Sequence, residues 1–169
     1  MITEYPQFFT ATILEWKKLL KPDKYKVIII ESMRFLVTHQ RVTIYGFVIM
    51  INHIHLIWQM NAGIQKSGLQ RDFLKFTAQK IQGDLRKNHP QLLSYFFVGA
   101  KDRQYQFWER NPLSVEIWSE KILKQKLRYI HENPVRAGLC RFPEEYKYSS
   151  ALFYKTGLDN WRFLTHYRD

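Results

Sequence analysis

Arg41-Val42-Thr43-Ile44-Tyr45-Gly46-Phe47-Val48-Ile49-Met50-Ile51-Asn52-His53-Ile54-His55-Leu56-Ile57-Trp58-Gln59-Met60 decides how this chain folds. Val, Ile, Tyr and Phe dominate it, the β-branched and aromatic types that favour a pleated surface. It is longer than most single strands, so it reads as two strands with a turn near 50–52. His53 and His55 fall on the second strand. Residues two apart in a strand point to the same side. The two imidazoles therefore stand side by side, and Ile54 faces the opposite surface. Neutral imidazole is the commonest protein metal ligand. Paired imidazoles on a rigid strand make half of a divalent-metal site. By itself H-x-H is a weak signal and needs a second element.

The rest of the chain supplies partners for this hairpin. Residues 4–14 are apolar and Thr-rich and read as a first strand. Residues 24–39 carry Tyr25, Ile28, Ile29, Ser32, Met33 and Leu36 near helical spacing, after a Pro22-Asp23 start signal. Residues 68–88 form the clearest helix, stopped by Pro90. Residues 91–108 are ambiguous, a loop with a short strand at 105–108. Residues 119–132 read as a second strong helix, with Ser119 as cap and Pro134 closing it. A tail of turns and short helices follows from about 140. Strand, helix, two strands, helix, strand, helix is an α+β pattern. Its natural packing is a ferredoxin-like antiparallel sheet with helices packed on one face, in a single domain spanning 1–169.

Composition narrows the partners. The formal charge is +11 and the pI about 9.8, a balance that suits a polyanion, nucleic acid before membrane. Aromatic residues make up 16%; most belong to a core, and some could stack on bases. Cys140 is the sole cysteine, so neither an intrachain disulfide nor a cysteine zinc cluster is expected. The longest apolar run, 44–51, is far short of the ~20 residues a membrane span needs. The N-terminus lacks the pattern of a secretory signal. A cytoplasmic, nucleoid-associated protein with no membrane partner is expected.

Two helices carry candidate function. On the 68–88 helix, Leu69, Phe73, Leu74, Phe76, Thr77 and Ile81 project to one side. Arg71, Lys75, Gln79, Gln82 and Arg86 project to the other, a face that could follow a phosphate backbone or simply be solvated. On the later helix the apolar stripe is Ile122, Leu123, Leu127 and Ile130. Tyr129 lies roughly a right angle from its centre, and Asn133 sits one turn on, on the same side. Pro134 disfavours the α conformation at Asn133, so the helix is expected to end there and display a hydroxyl and an amide beside basic residues. A boundary tyrosine with an Asn cap is the plain alternative.

H-x-H on a strand followed by Tyr129-Ile130-His131-Glu132-Asn133-Pro134-Val135-Arg136-Ala137-Gly138-Leu139 resembles the single-tyrosine HUH transposases. The closest likeness is to the branch called REP-associated tyrosine transposases, of the IS200-like group. Residues 46–58, Trp108-Glu109-Arg110 and Tyr146-Lys147-Tyr148-Ser149-Ser150-Ala151 complete the likeness, which runs from about 33 to 154. Ile51 stands where the family often has proline. The resemblance implies a ferredoxin-like palm, with Tyr129 as nucleophile and His53, His55 and Asn133 as ligands of Mg²⁺ or Mn²⁺. DNA contacts are expected from Arg71, Lys75, Arg86 and Arg128. The implied partner is single-stranded or hairpin DNA, handled by a monomer or a homodimer.

The implied reaction is cleavage and rejoining of single-stranded, hairpin-bearing DNA through a 5′-phosphotyrosine. Covalent attack splits a hard transfer into two reversible steps, and a metal on the scissile phosphate acts as Lewis acid. No general base stands out; His131 is adjacent in sequence but projects elsewhere on the helix. A domesticated or inactive relative that binds hairpins without cutting is the alternative. A metal-dependent hydrolase is a third reading, but its barrel forms need about 250 residues.

Overall fold

The computed structural model describes residues 5–169. It holds a four-stranded antiparallel sheet built from β1 (Gln7–Thr12), β2 (Val42–Ile49), β3 (His53–Met60) and β4 (Leu113–Glu116). The spatial order is β2-β3-β1-β4. The helices are α1 (Asp23–Thr38), α2 (Lys66–Asn88), a short α3 (Pro90–Leu93), α4 (Glu120–Arg136) and α5 (Ala151–Thr156). The order β1, α1, β2, β3, α2, β4 is that of a ferredoxin-like α+β fold, as expected. The predicted first strand is real over Gln7–Thr12; Glu4 lies outside the described residues.

Alternation divides the sheet into two faces, interrupted in β2 by a register shift between Ile44 and Gly46. Phe9, Ala11 and Ile13 from the β1 segment, with Ile54, Leu56 and Trp58 from β3, pack under α1 and α2 in the main core. Phe8, Val48, Met50 and Ile57 point the other way and pack under Leu123, Leu127 and Ile130 of α4. So α1 and α2 share one face, and α4 lies on the opposite one. The expectation of helices packed on one face therefore holds for α1 and α2 and not for α4, whose apolar stripe packs on the opposite face. Each fully buried Leu or Ile on α4 contributes about 1.5–3 kcal/mol, which holds the helix down on the sheet.

Three elements differ from expectation. The last strand lies at Leu113–Glu116, where it pairs with β1, and not at 105–108. Phe107 and Trp108 are buried in the main core instead, and Trp108 makes an isolated bridge to Ile13. Pro134 does not end α4, which runs on to Arg136 with Pro134 inside it and buried. Inside a helix a proline loses its own i→i−4 hydrogen bond and crowds the carbonyl four residues back; the helical bonding nevertheless resumes beyond it, with Ala137 N–H donating to Asn133 O (3.0 Å). Phe76 is half exposed, not part of the apolar side of α2.

The tail closes an edge. Val48 bridges Ser149, and Ile44 bridges Leu164. Ile49 N–H donates to Tyr148 O (2.9 Å) and Thr165 N–H to Ile44 O (2.9 Å). Phe163 enters the main core. The free edge of β2 is thereby covered, which removes a site for unwanted strand pairing. No helix among the described residues is long and apolar enough to cross a membrane.

Candidate active site

β3 and α4 converge on one cleft of about 500 Å³, lined by Phe8, Thr10, Trp16, His53, His55, Leu113, Lys126, Tyr129 and Asn133. His53 and His55 project from β3 onto the α4 face, as the period of two requires. Their ring centroids are 4.9 Å apart. Thr10 is directly opposite His55 in the β1–β3 register, and its Oγ1 shares a 2.7 Å hydrogen bond with His55 Nδ1. His53 Nδ1 donates to Asn52 Oδ1 at 2.7 Å. With both Nδ1 atoms engaged, Nε2 is the nitrogen that each ring presents for ligation.

Tyr129 stands on α4 beside this pair. Its ring centroid lies 5.6 Å from that of His55 and 6.3 Å from that of Phe8. The side chain is 48% exposed. Its hydroxyl makes no hydrogen bond to the described residues, so it is free for a ligand. Asn133, one turn further on, places its side-chain amide 3.4 Å from His53 Nε2, with Nδ2 donating. A half-turn about the last side-chain bond exchanges Nδ2 for Oδ1, which would make the amide a ligand beside the two imidazoles.

The cleft is electropositive, and no Asp or Glu among the described residues lines it. Lys126 Nζ lies 4.8 Å from the Phe8 ring centre. The Arg136 guanidinium lies 4.8 Å from the Tyr129 ring centre and donates to Tyr129 O at 2.9 Å. Burial, then His53, Arg136 and Lys126, push His55 down to about 3, and burial lowers His53. Both imidazoles are therefore neutral around neutral pH, the state a ligand requires. Two imidazoles and an amide fit a divalent ion. Being uncharged, they leave its two positive charges to be balanced by an anion that enters the cleft.

The sequence-derived residues separate into two groups. His53, His55, Tyr129 and Asn133 line one cleft. Arg128 is exposed on α4 and does not line the cleft. Lys126, Arg136, Thr10 and Trp16 were missed. Lys126, Tyr129, Asn133 and Arg136 are spaced by three, four and three residues, so one helical projection would have found both cations. Arg71 and Lys75 border a separate groove with Gln79 and Gln82, faced by Arg103 and Arg110 across it. Arg86 is exposed but lies outside that groove, roughly 22 Å along α2 from Arg71 at 1.5 Å per residue. His131 is in the interior: its Nε2 is 2.7 Å from Ser150 Oγ, and burial lowers it to about 4.

No family model matches the chain, and no curated protein matches it. Among solved structures, a REP-associated tyrosine transposase bound to a REP hairpin is similar, with a TM-score of 0.69 and 18% identity. The likeness covers 99% of this chain and 90% of that one. At this identity it establishes a shared fold over essentially the whole described chain.

Proposed function

We propose that this protein cleaves and rejoins single-stranded, hairpin-bearing DNA through a covalent tyrosine intermediate. The observation that carries the reading is the placement of Tyr129: an exposed phenol with a hydroxyl free among the described residues, 5.6 Å by ring centroid from His55, in a cationic cleft that no carboxylate of the described residues lines. A phosphodiester is the anion such a cleft accommodates. The similar fold of a transposase bound to a REP hairpin supports the substrate class.

In this reading Lys126 and Arg136 draw the scissile phosphate over the two imidazoles. Tyr129 Oη attacks phosphorus, and the bond to the 3′ oxygen breaks. The products are a 5′-phosphotyrosine and a free 3′-OH. The phenolic proton leaves to solvent and the 3′ oxygen takes one up. Attack of a 3′-OH on the phosphotyrosine reverses the step, so rejoining needs no nucleotide cofactor. His53, His55 and Asn133 would hold Mg²⁺ or Mn²⁺, which when bound supplies Lewis-acid polarisation of the phosphate. Thr10 and Asn52 keep the imidazoles in the ligating tautomer. His131, tied to Ser150, holds α4 against the sheet and takes no part in proton transfer.

The test is incubation with labelled hairpin-bearing single strands and Mg²⁺ or Mn²⁺, followed by denaturing electrophoresis. A protein–DNA adduct that survives denaturation is expected. Binding with no adduct under any metal would reduce the protein to a hairpin binder.

A further inference from the structure

Trp16 is a large apolar side chain left 61% exposed at the rim of the Tyr129 cleft. Its ring meets His53 edge-on, with centroids 5.8 Å apart. The backbone that presents it is unusual. Glu15 and Trp16 both adopt the left-handed region, at φ 54° and 57°. Bulky residues seldom occupy that region, and such strain gathers at ligand clamps.

The surrounding hydrogen bonds hold this turn firmly. Ile13 N–H donates to Asn52 O (2.9 Å), Leu14 N–H to Phe107 O (2.8 Å) and Trp16 N–H to Ile13 O (2.8 Å). Glu15 N–H donates to Glu109 Oε1 at 2.6 Å. The turn is thus fastened both to the β2–β3 connection and to the segment before β4. A strained, firmly tied turn that exposes an indole is pre-organised for a planar ligand, since little order remains to be lost on binding. Lys17 and Lys18 follow directly in the chain, and Lys18 is exposed.

We infer that Trp16 is a base-stacking platform, taking the nucleobase next to the phosphate that Tyr129 attacks. The inference rests on the nucleic-acid reading of the cleft and adds a residue that binds bases and not phosphate. Stacking is tolerant of sequence because every base has a π-face. Trp16 therefore contributes affinity for unpaired bases without selecting among them. A base inside a duplex is already stacked and gains nothing, so the platform favours single strands.

The experiment measures binding and not cleavage, in the Tyr129→Phe background so that no covalent bond forms. The probes are a thymidine octamer and an octamer of abasic sites with the same phosphates. The unaltered Trp16 protein should prefer the thymidine octamer. Trp16→Ala should weaken thymidine-octamer binding roughly 5- to 150-fold and leave abasic binding unchanged. Trp16→Phe, with a smaller ring, should keep an intermediate preference, so the test does not hang on one variant. Trp118→Ala removes another exposed tryptophan, one that donates to Glu116 Oε2 (2.8 Å) outside this cleft, and should change neither affinity. Absence of a base preference in the Trp16 protein, or its survival in Trp16→Ala, overturns the platform. A protein that shows the Trp16-dependent preference but never forms an adduct with Tyr129 restored loses the cleavage reading and keeps the platform.

Discussion

Gly46→Ala probes how the fold carries Tyr129. A Cβ at Gly46 would lie 2.4 Å from Leu127 Cδ2, 3.3 Å from Ser150 Oγ and 3.5 Å from Ile130 Cδ1. Carbon atoms prefer about 3.5–4.0 Å, so Leu127 must retreat by roughly 1.1–1.6 Å. Leu127 is buried in the cluster that also holds Val48, Leu123 and Ile130. Ser150 is fixed in turn by Phe47 N–H (2.9 Å) and His131 (2.7 Å). The helix itself therefore yields, and overpacking of this kind destabilises by about 1–3 kcal/mol. Tyr129 is two residues from Leu127 and moves with it. A misplacement of about 1 Å can cost on the order of 100-fold in rate. Urea denaturation should show the stability loss, and the rate of adduct formation should fall by about that factor. Leu127→Ala alone leaves a cavity costing about 2–5 kcal/mol. Combined with Gly46→Ala it should restore part of both losses, a coupling on the order of 1–2 kcal/mol. An unchanged denaturation midpoint and adduct rate in Gly46→Ala would refute the close approach of α4 to β2.

Other outcomes follow from the same geometry. His53→Ala or His55→Ala should abolish adduct formation in a folded protein, and EDTA should do the same reversibly; calorimetry should find metal binding weak until DNA is present, because the ligands are uncharged. Tight metal binding without DNA would contradict that. Changing Arg71 and Lys75 together to Ala should lower the slope of log K against log[salt] by about 1.4 for single strands, at about 0.7 per contact, whereas Arg86→Ala should change it little; equal effects would mean that the groove beside α2 is not the phosphate track. Asp84 accepts from Lys24 (2.8 Å) and Tyr25 (2.6 Å), and these bonds hold its carboxyl at about 2, below its ordinary 3.8. Its stabilisation, on the order of 1 kcal/mol after solvent screening, is present above pH 4 and lost as pH falls through 2. Asp84→Asn should lower stability at neutral pH by that amount and flatten the decline between pH 4 and 2 in acid unfolding.

Local signals made much of the fold legible. The 42–60 hairpin was readable because β-branched residues crowd both strands and the turn is short. The partnership of His53 with His55 follows from a period of two, and that of Tyr129 with Asn133 from one helical turn. Ser119 caps α4 as its position suggested, accepting from Ile122 N–H at 3.2 Å. What was not legible depends on distant contacts. In β4, Leu113 and Val115 are the exposed positions, so its alternation says nothing of a core; the open edge of β1 defines it. α4 passes Pro134, whose ring is buried against the rest of the fold, a tertiary contact that local sequence does not show. The side of the sheet that α4 covers depends on the chain's path and not on its own pattern. Trp16 gave no sign at all, since its left-handed turn contains no glycine.

The central claim is that Tyr129 forms the covalent bond to DNA. The direct measurement is recovery of a denaturation-resistant adduct, digestion to the linked peptide, and mass spectrometry with end-labelled strands. The expected peptide carries Tyr129 esterified to a 5′ phosphate, and the released fragment ends in a 3′-OH that a polymerase extends. Tyr129→Phe keeps the ring and its packing against Phe8 and His55, so it should bind the same DNA and yield neither adduct nor cut strand. An adduct from the Phe variant, or linkage through a 3′ phosphate, would contradict the account.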